Sequence, residues 1–219
     1  MTEYELDAPL EFILIGGGGH CHSCISSITR ADNNILGIVD NNNENSILGF
    51  PVIGSDNDIP QLVIDHPKAI FIVAVGMIKG TSMLRQKLFD KLLGANAIKD
   101  SIISKSAIVS PFSKIGLGST ILEGVLINAN AVIGDNVIIN TGAIIEHDSY
   151  IGNHSHISTG AIVNGGVQVG DNCMIGSGAV ILQGIKIVKN TTIAAGSVVT
   201  KDITIAGTWI GSPAKIKDK

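Results

Sequence analysis

The chain has 219 residues, 45% of them hydrophobic but only 4% aromatic, with a net charge of −4; this is enough for one large or two modest domains with a real core. The small net acidity gives no footprint for nucleic acid, and no apolar run reaches the roughly 18 residues needed to cross a bilayer. Three cysteines make an odd set for a disulfide framework, and the leading stretch carries Glu3, Glu5 and Asp7 rather than a basic leader, so a cytoplasmic protein is expected.

Phe12–Ile15 is a short apolar run that enters Gly16-Gly17-Gly18-Gly19-His20. The spacing then predicts a helix over about Cys21–Ala31 and a second strand over Ile35–Val39 that ends at Asp40. A strand, a glycine loop, a helix and a strand ending in an acid form the pattern of a nucleotide-binding βαβ unit. The loop lacks the spaced G-x-G-x-x-G form, so NAD is not expected, and four glycines can also serve only as a tight turn. Asn41–Asn45 is a polar loop, and Ile53 joins a short strand before Gly54. Ala69–Val75 reads as a third buried strand, and Lys79–Leu93 has helical spacing closed by Gly94. Residues 1–97 thus form a small Rossmann-like α/β domain that abuts residues 98–219 without a linker. Cys21 and Cys24, flanked by His20 and His22, lack a second ligand pair at zinc spacing, so no metal is expected.

From Ile103 to Val199 an Ile or Val recurs at every sixth position, 17 times without a break. Four residues after each comes a mostly small or β-branched residue. A period of six fits neither a helix nor a lone strand; it fits short strands separated by regular turns, a hexapeptide β-helix. Three hexads make one coil, so residue n stacks under n+18, and the prism is roughly 27 Å tall at the usual strand spacing. Ile205–Lys219 leaves this frame, and Trp209 is read as part of a cap over the open coil end. Six of the lysines but only two aspartates fall between Lys186 and the end. Exposed lysines can be merely solubilising; the functional reading is a polyanionic ligand along the last coils.

An imidazole inside such a prism would be a defect, so His147, His154 and His156 are expected on its outer surface. His147 belongs to the column Pro111, Ala129, His147, Gly165, Gln183, Lys201. The bare backbone of Gly165 one coil above leaves room for a ligand at the ring, with an N–H available to developing negative charge. Acyl transfer needs a base of near-neutral pKa with a partner that fixes its tautomer; Asp148 is the adjacent carboxylate and Glu146 competes with it. A surface histidine beside acids can also be simply solvated, a reading the stacked glycine disfavours. The column Thr141, Thr159, Ser177, Ala195 offers a smooth wall for an extended thiol arm.

The hexad run resembles the left-handed β-helix acyltransferases, and that resemblance, rather than the spacing, implies the left hand and a homotrimer. Gly211-Ser212-Pro213-Ala214-Lys215 matches their terminal G-x-P-A-K motif, which borders the coenzyme A site. The stretch from Asn140 to Asp148, with the upstream Gly-Gly-Gly-Gly-His loop, is similar to the sugar acetyltransferases that join a nucleotide-binding α/β domain to such a helix. These include N-acetyltransferases of UDP-4-amino sugars in the bacillosamine pathway and sialic acid O-acetyltransferases. The resemblance implies His147 as base, Asp148 as its orienting acid where family members often have Glu, and Asn140 as a polar support for the catalytic histidine. It implies acetyl-CoA contacts at His156, Gly165, Ser177 and Ala195, and nucleotide-sugar contacts at Gly17, Gly18, Gly19, Asp40 and Asn41. The activity so implied is metal-free transfer of acetyl from acetyl-CoA to the 4-amino group of a UDP-linked 4-amino-4,6-dideoxy sugar. O-acetylation of a sialic acid or related sugar would use the same residues, and a non-catalytic nucleotide-sugar-binding scaffold is the alternative of a different class.

Overall fold

The computed structural model describes residues 8–42, 45–77 and 82–217. The acidic leader and the expected helix start at Lys79 lie outside the described residues. β1 (Glu11–Ile15) lies in a five-stranded sheet with β2 (Asn34–Val39), β3 (Ser46–Ile47), β4 (Phe50–Gly54) and β5 (Ile70–Val73), in the order β3-β4-β2-β1-β5. All neighbours are parallel except the β3–β4 pair. Side chains alternate across β1 and sort the domain into three layers. Phe12 and Leu14 pack with Cys24, Ile25 and Ile28 of α1 (Gly19–Arg30). Ile13 and Ile15 pack with α2 (Ile59–Asp65) and α3 (Ser82–Gly94) on the other side. α2 has no counterpart in the sequence reading: at seven residues it is too short to show a period, although Pro60 stands in its first turn, where a missing N–H costs nothing.

From Ile102 onward the chain winds into a left-handed parallel β-helix of two-residue rungs in three sheets. Face I carries Ile102–Ile103, Thr120–Ile121, Ile138–Ile139, His156–Ile157, Met174–Ile175 and Thr192–Ile193. Face II carries the rungs from Ile108–Val109 to Val198–Val199, and face III those from Lys114–Ile115 to Lys186–Ile187. Every pairing among these rungs joins n to n+18, as in Ile139↔Ile157↔Ile175, while the closing coil is two residues shorter and pairs Ile187 with Ile203. The second residue of each rung points inward, and from Ile121 to Val199 all of these are buried. The corners explain the rest of the hexad. Every sixth residue from Gly118 to Gly196 has a positive φ, and each is Gly, Asn, Asp or His, the residues that tolerate the left-handed region best. At the top, Trp209 pairs with Ile193 and packs on the end of the aliphatic core.

The outward residues differ sharply between faces. On face I, Ile102, Thr120, Ile138 and His156 are buried beneath the α/β domain. Ser27 of α1 donates to Glu123 at 2.8 Å, and Phe89 of α3 meets His154 edge-on with ring centroids 5.5 Å apart. A Cβ on Gly118 would lie 2.8 Å from Phe89, so a glycine there serves both the turn and this close approach. Face III presents Lys114, Tyr150, Gln168 and Lys186 outward. Face II presents Ile108, Leu126, Ile144, Ile162, Val180 and Val198, all at least partly exposed. Among the described residues no helix is long and apolar enough to cross a membrane.

The interior column should dominate stability. Ile157→Ala, at 0% exposure between Ile139 and Ile175, is expected to lose about 2–5 kcal/mol. Ile103→Ala, on the open first coil at 43% exposure, should lose clearly less; equilibrium urea unfolding compares them.

Candidate active site

His147 and Asp148 form the corner between faces II and III. Asp148 takes the left-handed conformation, φ 61°, and this turns its carboxylate back towards the preceding side chain. His147 Nδ1 and Asp148 Oδ2 are 2.8 Å apart, so with the proton on Nδ1 the Nε2 lone pair is free. One coil below, Asn130 Nδ2 donates to the other carboxylate oxygen at 2.7 Å. The Asn130 amide and then the His147 ring hold the Asp148 carboxyl below its usual pKa, which keeps it ionised. Glu146 is engaged elsewhere, accepting from Asn128 at 2.7 Å, so Asp148 is the carboxylate in contact with the ring. Asn130 was missed because it lies eighteen residues from the acid it orients. Reading the corner column Asn130, Asp148, Gly166 would have found it.

Gly165 lies directly over the imidazole: a Cβ there would sit 2.8 Å from both Cε1 and Nε2 of His147. The Gly165 carbonyl accepts from Gly184 at 2.9 Å, and its N–H meets no acceptor among the described residues. The corner therefore holds an oriented imidazole, with a side chain 57% exposed, under an unencumbered backbone donor.

Of the other residues of the expected cofactor site, Ser177 and Ala195 lie on the other edge of face II and His156 on a rung of face I. Ser177 and Ala195 are exposed at the corner between faces I and II, in line with Thr141 and Thr159, and each is followed by a left-handed glycine. Within one chain Asn140, expected to support the catalytic histidine, does not contact His147. Its Nδ2 lies 3.3 Å from His156 Nε2, because Asn140 follows the face I rung Ile138–Ile139 and is separated from His147 by the width of face II. His156 is outside the prism, as expected, yet only 8% exposed, since the α/β domain covers it. Its Nδ1 is 3.4 Å from the Met77 carbonyl.

The third group lies at the carboxyl ends of the sheet. β1 is flanked by β2 on one side and β5 on the other, a switch of direction that opens a ligand crevice in α/β sheets. Gly17 donates to Asp40 Oδ2 at 2.5 Å, and a Cβ on it would strike Ile47 and that carboxylate. The second Asp40 oxygen accepts from Asn42, so this acid holds two loops in place. Asn41 is paired with Asp56. Gly18 and Gly19 have open space where a side chain would stand, at the N-terminus of a helix with no side-chain cap, a natural seat for phosphate. His20 follows. Its Nε2 lies 3.4 Å from Thr120 Oγ1 and 3.6 Å from Cys24 Sγ, so the ring spans from α1 to face I. Burial of Cys21 and Cys24 pushes both thiols up, Cys21 to about 12. Among the described residues no three metal-ligating side chains converge.

Burial, with Arg85 adding to it, lowers the pKa of His20 to about 3 and that of His156 to about 4. Both folded values lie below the unfolded 6.5, so between about pH 4 and 6.5 the unfolded chain binds more protons. Stability should fall as pH drops through that window, by up to about 1.4 kcal/mol per unit for each imidazole. His156→Gln should flatten the fall in the unfolding midpoint measured against pH.

With this geometry in place, comparison with known proteins gives a consistent relationship. Residues 11–92 match the family model for the PglD N-terminal domain. Residues 130–165 match the bacterial transferase hexapeptide (six repeats), and residues 166–201 the hexapeptide repeat of succinyl-transferase. No curated protein sequence matches significantly. Among solved structures, the chain is similar to perosamine N-acetyltransferase from Caulobacter crescentus in complex with CoA and GDP-perosamine. A histidine-to-asparagine variant of that enzyme is 36% identical, with a TM-score of 0.90 and coverage of 97% of this chain and 99% of that one. The structure at 1.0 Å resolution gives 37% identity, a TM-score of 0.88 and coverage of 96% and 99%. The acetyltransferase domain of PglB from Neisseria gonorrhoeae in complex with acetyl coenzyme A is 29% identical, with a TM-score of 0.88 and coverage of 96% and 100%. Near-complete coverage of both chains, through an α/β unit and a hexapeptide coil in the same order, makes this protein a member of the hexapeptide-repeat sugar N-acetyltransferase family.

Proposed function

We propose that the protein transfers the acetyl group of acetyl-CoA to the 4-amino group of a nucleoside-diphosphate-linked 4-amino-4,6-dideoxy sugar, with His147 as general base. The observation that carries this reading is the oriented His147–Asp148 pair beneath the bare Gly165 rung. His147 Nε2 accepts the proton of the amine as its nitrogen attacks the thioester carbonyl. The Gly165 N–H receives the oxyanion, the C–S bond breaks, and the thiolate leaves and is protonated as the amide forms. The similar structures carry CoA or acetyl-CoA, which supports acetyl-CoA as co-substrate along Thr141, Thr159, Ser177 and Ala195. The open N-terminus of α1, at Gly18 and Gly19, suits the diphosphate, with Asp40 shaping the loop and Asn41 beside it. The sequence resemblance points to the UDP series, but the higher identity belongs to an enzyme bound to GDP-perosamine, so a GDP-linked sugar is the first choice and a UDP-linked one the second.

The separation of His147 from Asn140, His156, Ser177 and Ala195 supports a homotrimer. Face II lies between the two groups and carries an unbroken aliphatic stripe from Ile108 to Val198, the kind of surface monomers rarely expose. Packing face II of three copies around one axis would bring the His147 edge of one subunit to the Ser177 edge of the next. Each cleft would then be assembled from two chains.

His147→Ala should lower turnover by about 10²–10⁴-fold with the oligomer intact by light scattering. Thermal shift with GDP-, UDP- and CMP-linked sugars ranks the nucleotide, since ligand at 100 times Kd stabilises by about 2.7 kcal/mol. Undiminished release of CoA thiol by the His147 variant would refute the assignment of the base.

A further inference from the structure

The largest fully buried side chain is Arg85 of α3, at 1% exposure, and the chemistry proposed above gives it no part. Among the described residues no carboxylate pairs with it. A guanidinium is costly to bury unless its donors are met by well-placed acceptors, and here every acceptor is a neutral oxygen. Nη1 donates to the carbonyls of Val73, at 3.2 Å, and Val75, where β5 leaves the sheet. Nη2 donates to the carbonyl of Asn136 at 3.1 Å and to its Oδ1 at 2.7 Å. Asn136 is a left-handed corner of the β-helix, φ 53°, and its Nδ2 continues to His154 Nδ1 at 3.0 Å. One side chain therefore ties α3, the exit of β5 and the corner between faces III and I. Two residues beyond Val75, the same exit segment presents the Met77 carbonyl to His156.

We infer that Arg85 is a positioning residue for acetyl transfer: by clamping the exit of β5 to Asn136, it sets the Met77 carbonyl against His156 Nδ1. That contact fixes the imidazole as the Nδ1–H tautomer and leaves Nε2 to accept from Asn140 Nδ2, so the amide is aimed at the edge between faces I and II. The planar fork suits this task because it spans two backbone segments at once; a lysine ammonium is a single point that cannot hold both. Arg85 from α3 also favours an uncharged His156, and His156 in turn disfavours charge on His20 of α1. The catalytic half of this inference rests on reading that edge as the acetyl-CoA site.

Two variants separate the clamp from mere structure. Arg85→Lys keeps the charge and loses the fork. Asn136→Gly keeps the left-handed corner and its backbone carbonyl and removes the side-chain amide, with its bonds to Arg85 and His154, so it tests the clamp even if the arginine variant does not fold. Long-range ¹H–¹⁵N spectra of the free protein report the His156 tautomer without any substrate. A single Nδ1–H form is expected in the parent chain and a mixture in both folded variants. Steady-state kinetics should show the KM for acetyl-CoA rising roughly 10-fold, within the loss that misplacement of about 1 Å can cause. The KM for the nucleotide sugar should move less.

An unchanged tautomer in folded variants overturns the clamp, and an altered tautomer with an unchanged acetyl-CoA KM overturns its role in catalysis. If the parent chain releases no thiol from acetyl-CoA with any amino sugar, the proposed function fails, while the tautomer measurement still decides the clamp.

Discussion

The eighteen-residue parallel register is the constraint on which everything else rests. Backbone groups of the stacked rungs are met by the coil above or below, and the common coil length of the regular hexads keeps their columns in line. The stack turns columns of the sequence into lines in space. His147 lies under Gly165 and Asp148 over Asn130 because each pair is eighteen apart. The left-handed corners give the carboxylate its direction: Asp148 could not reach the ring before it from an extended backbone with the same ease. Architecture and chemistry share one geometric cause.

A second interaction layer joins the two folding units, and much of it is polar. His20, Thr120, Arg85, Asn136, His154 and His156 meet there, alongside apolar contacts such as Phe89 against Gly118. Such a layer is favourable only when its partners are matched, and most are. Ser158 Oγ, in the same column as Asn140 and one coil above it, is the exception, a buried hydroxyl with no partner. The layer fixes the docking angle between the crevice of the α/β sheet and the β-helix more sharply than an apolar seam would.

The periodic half of the chain was legible because its signal is spread over 17 hexads, each repeating the same demand for an inward aliphatic residue. The βαβ unit was legible from the glycine loop and from Asp40, whose carboxylate holds that loop. What escaped lies between elements. Arg85 sits in a helix whose spacing looks ordinary, and nothing local announces that its guanidinium crosses to Asn136, 51 residues away. Asn140 was placed beside His147 by resemblance, but the width of face II separates them within one chain. The outward stripe on face II was present in the sequence all along, in the residue before every third inward Ile or Val. Its meaning depends on knowing which face the α/β domain leaves bare.

The fixed coil length also limits how this protein can change. A single inserted residue in any corner would rotate every later column by one place, turning inward isoleucines out and parting whatever pairs straddle the insertion. Within the regular hexads the columns stay aligned when length changes by whole coils, but not between Asn130 and Gly165, where one coil joins Asn130 to Asp148 and the next joins His147 to its glycine. Variation in reach along an extended cofactor is therefore quantised, added or removed above the site in steps of one rung height, about 4.8 Å.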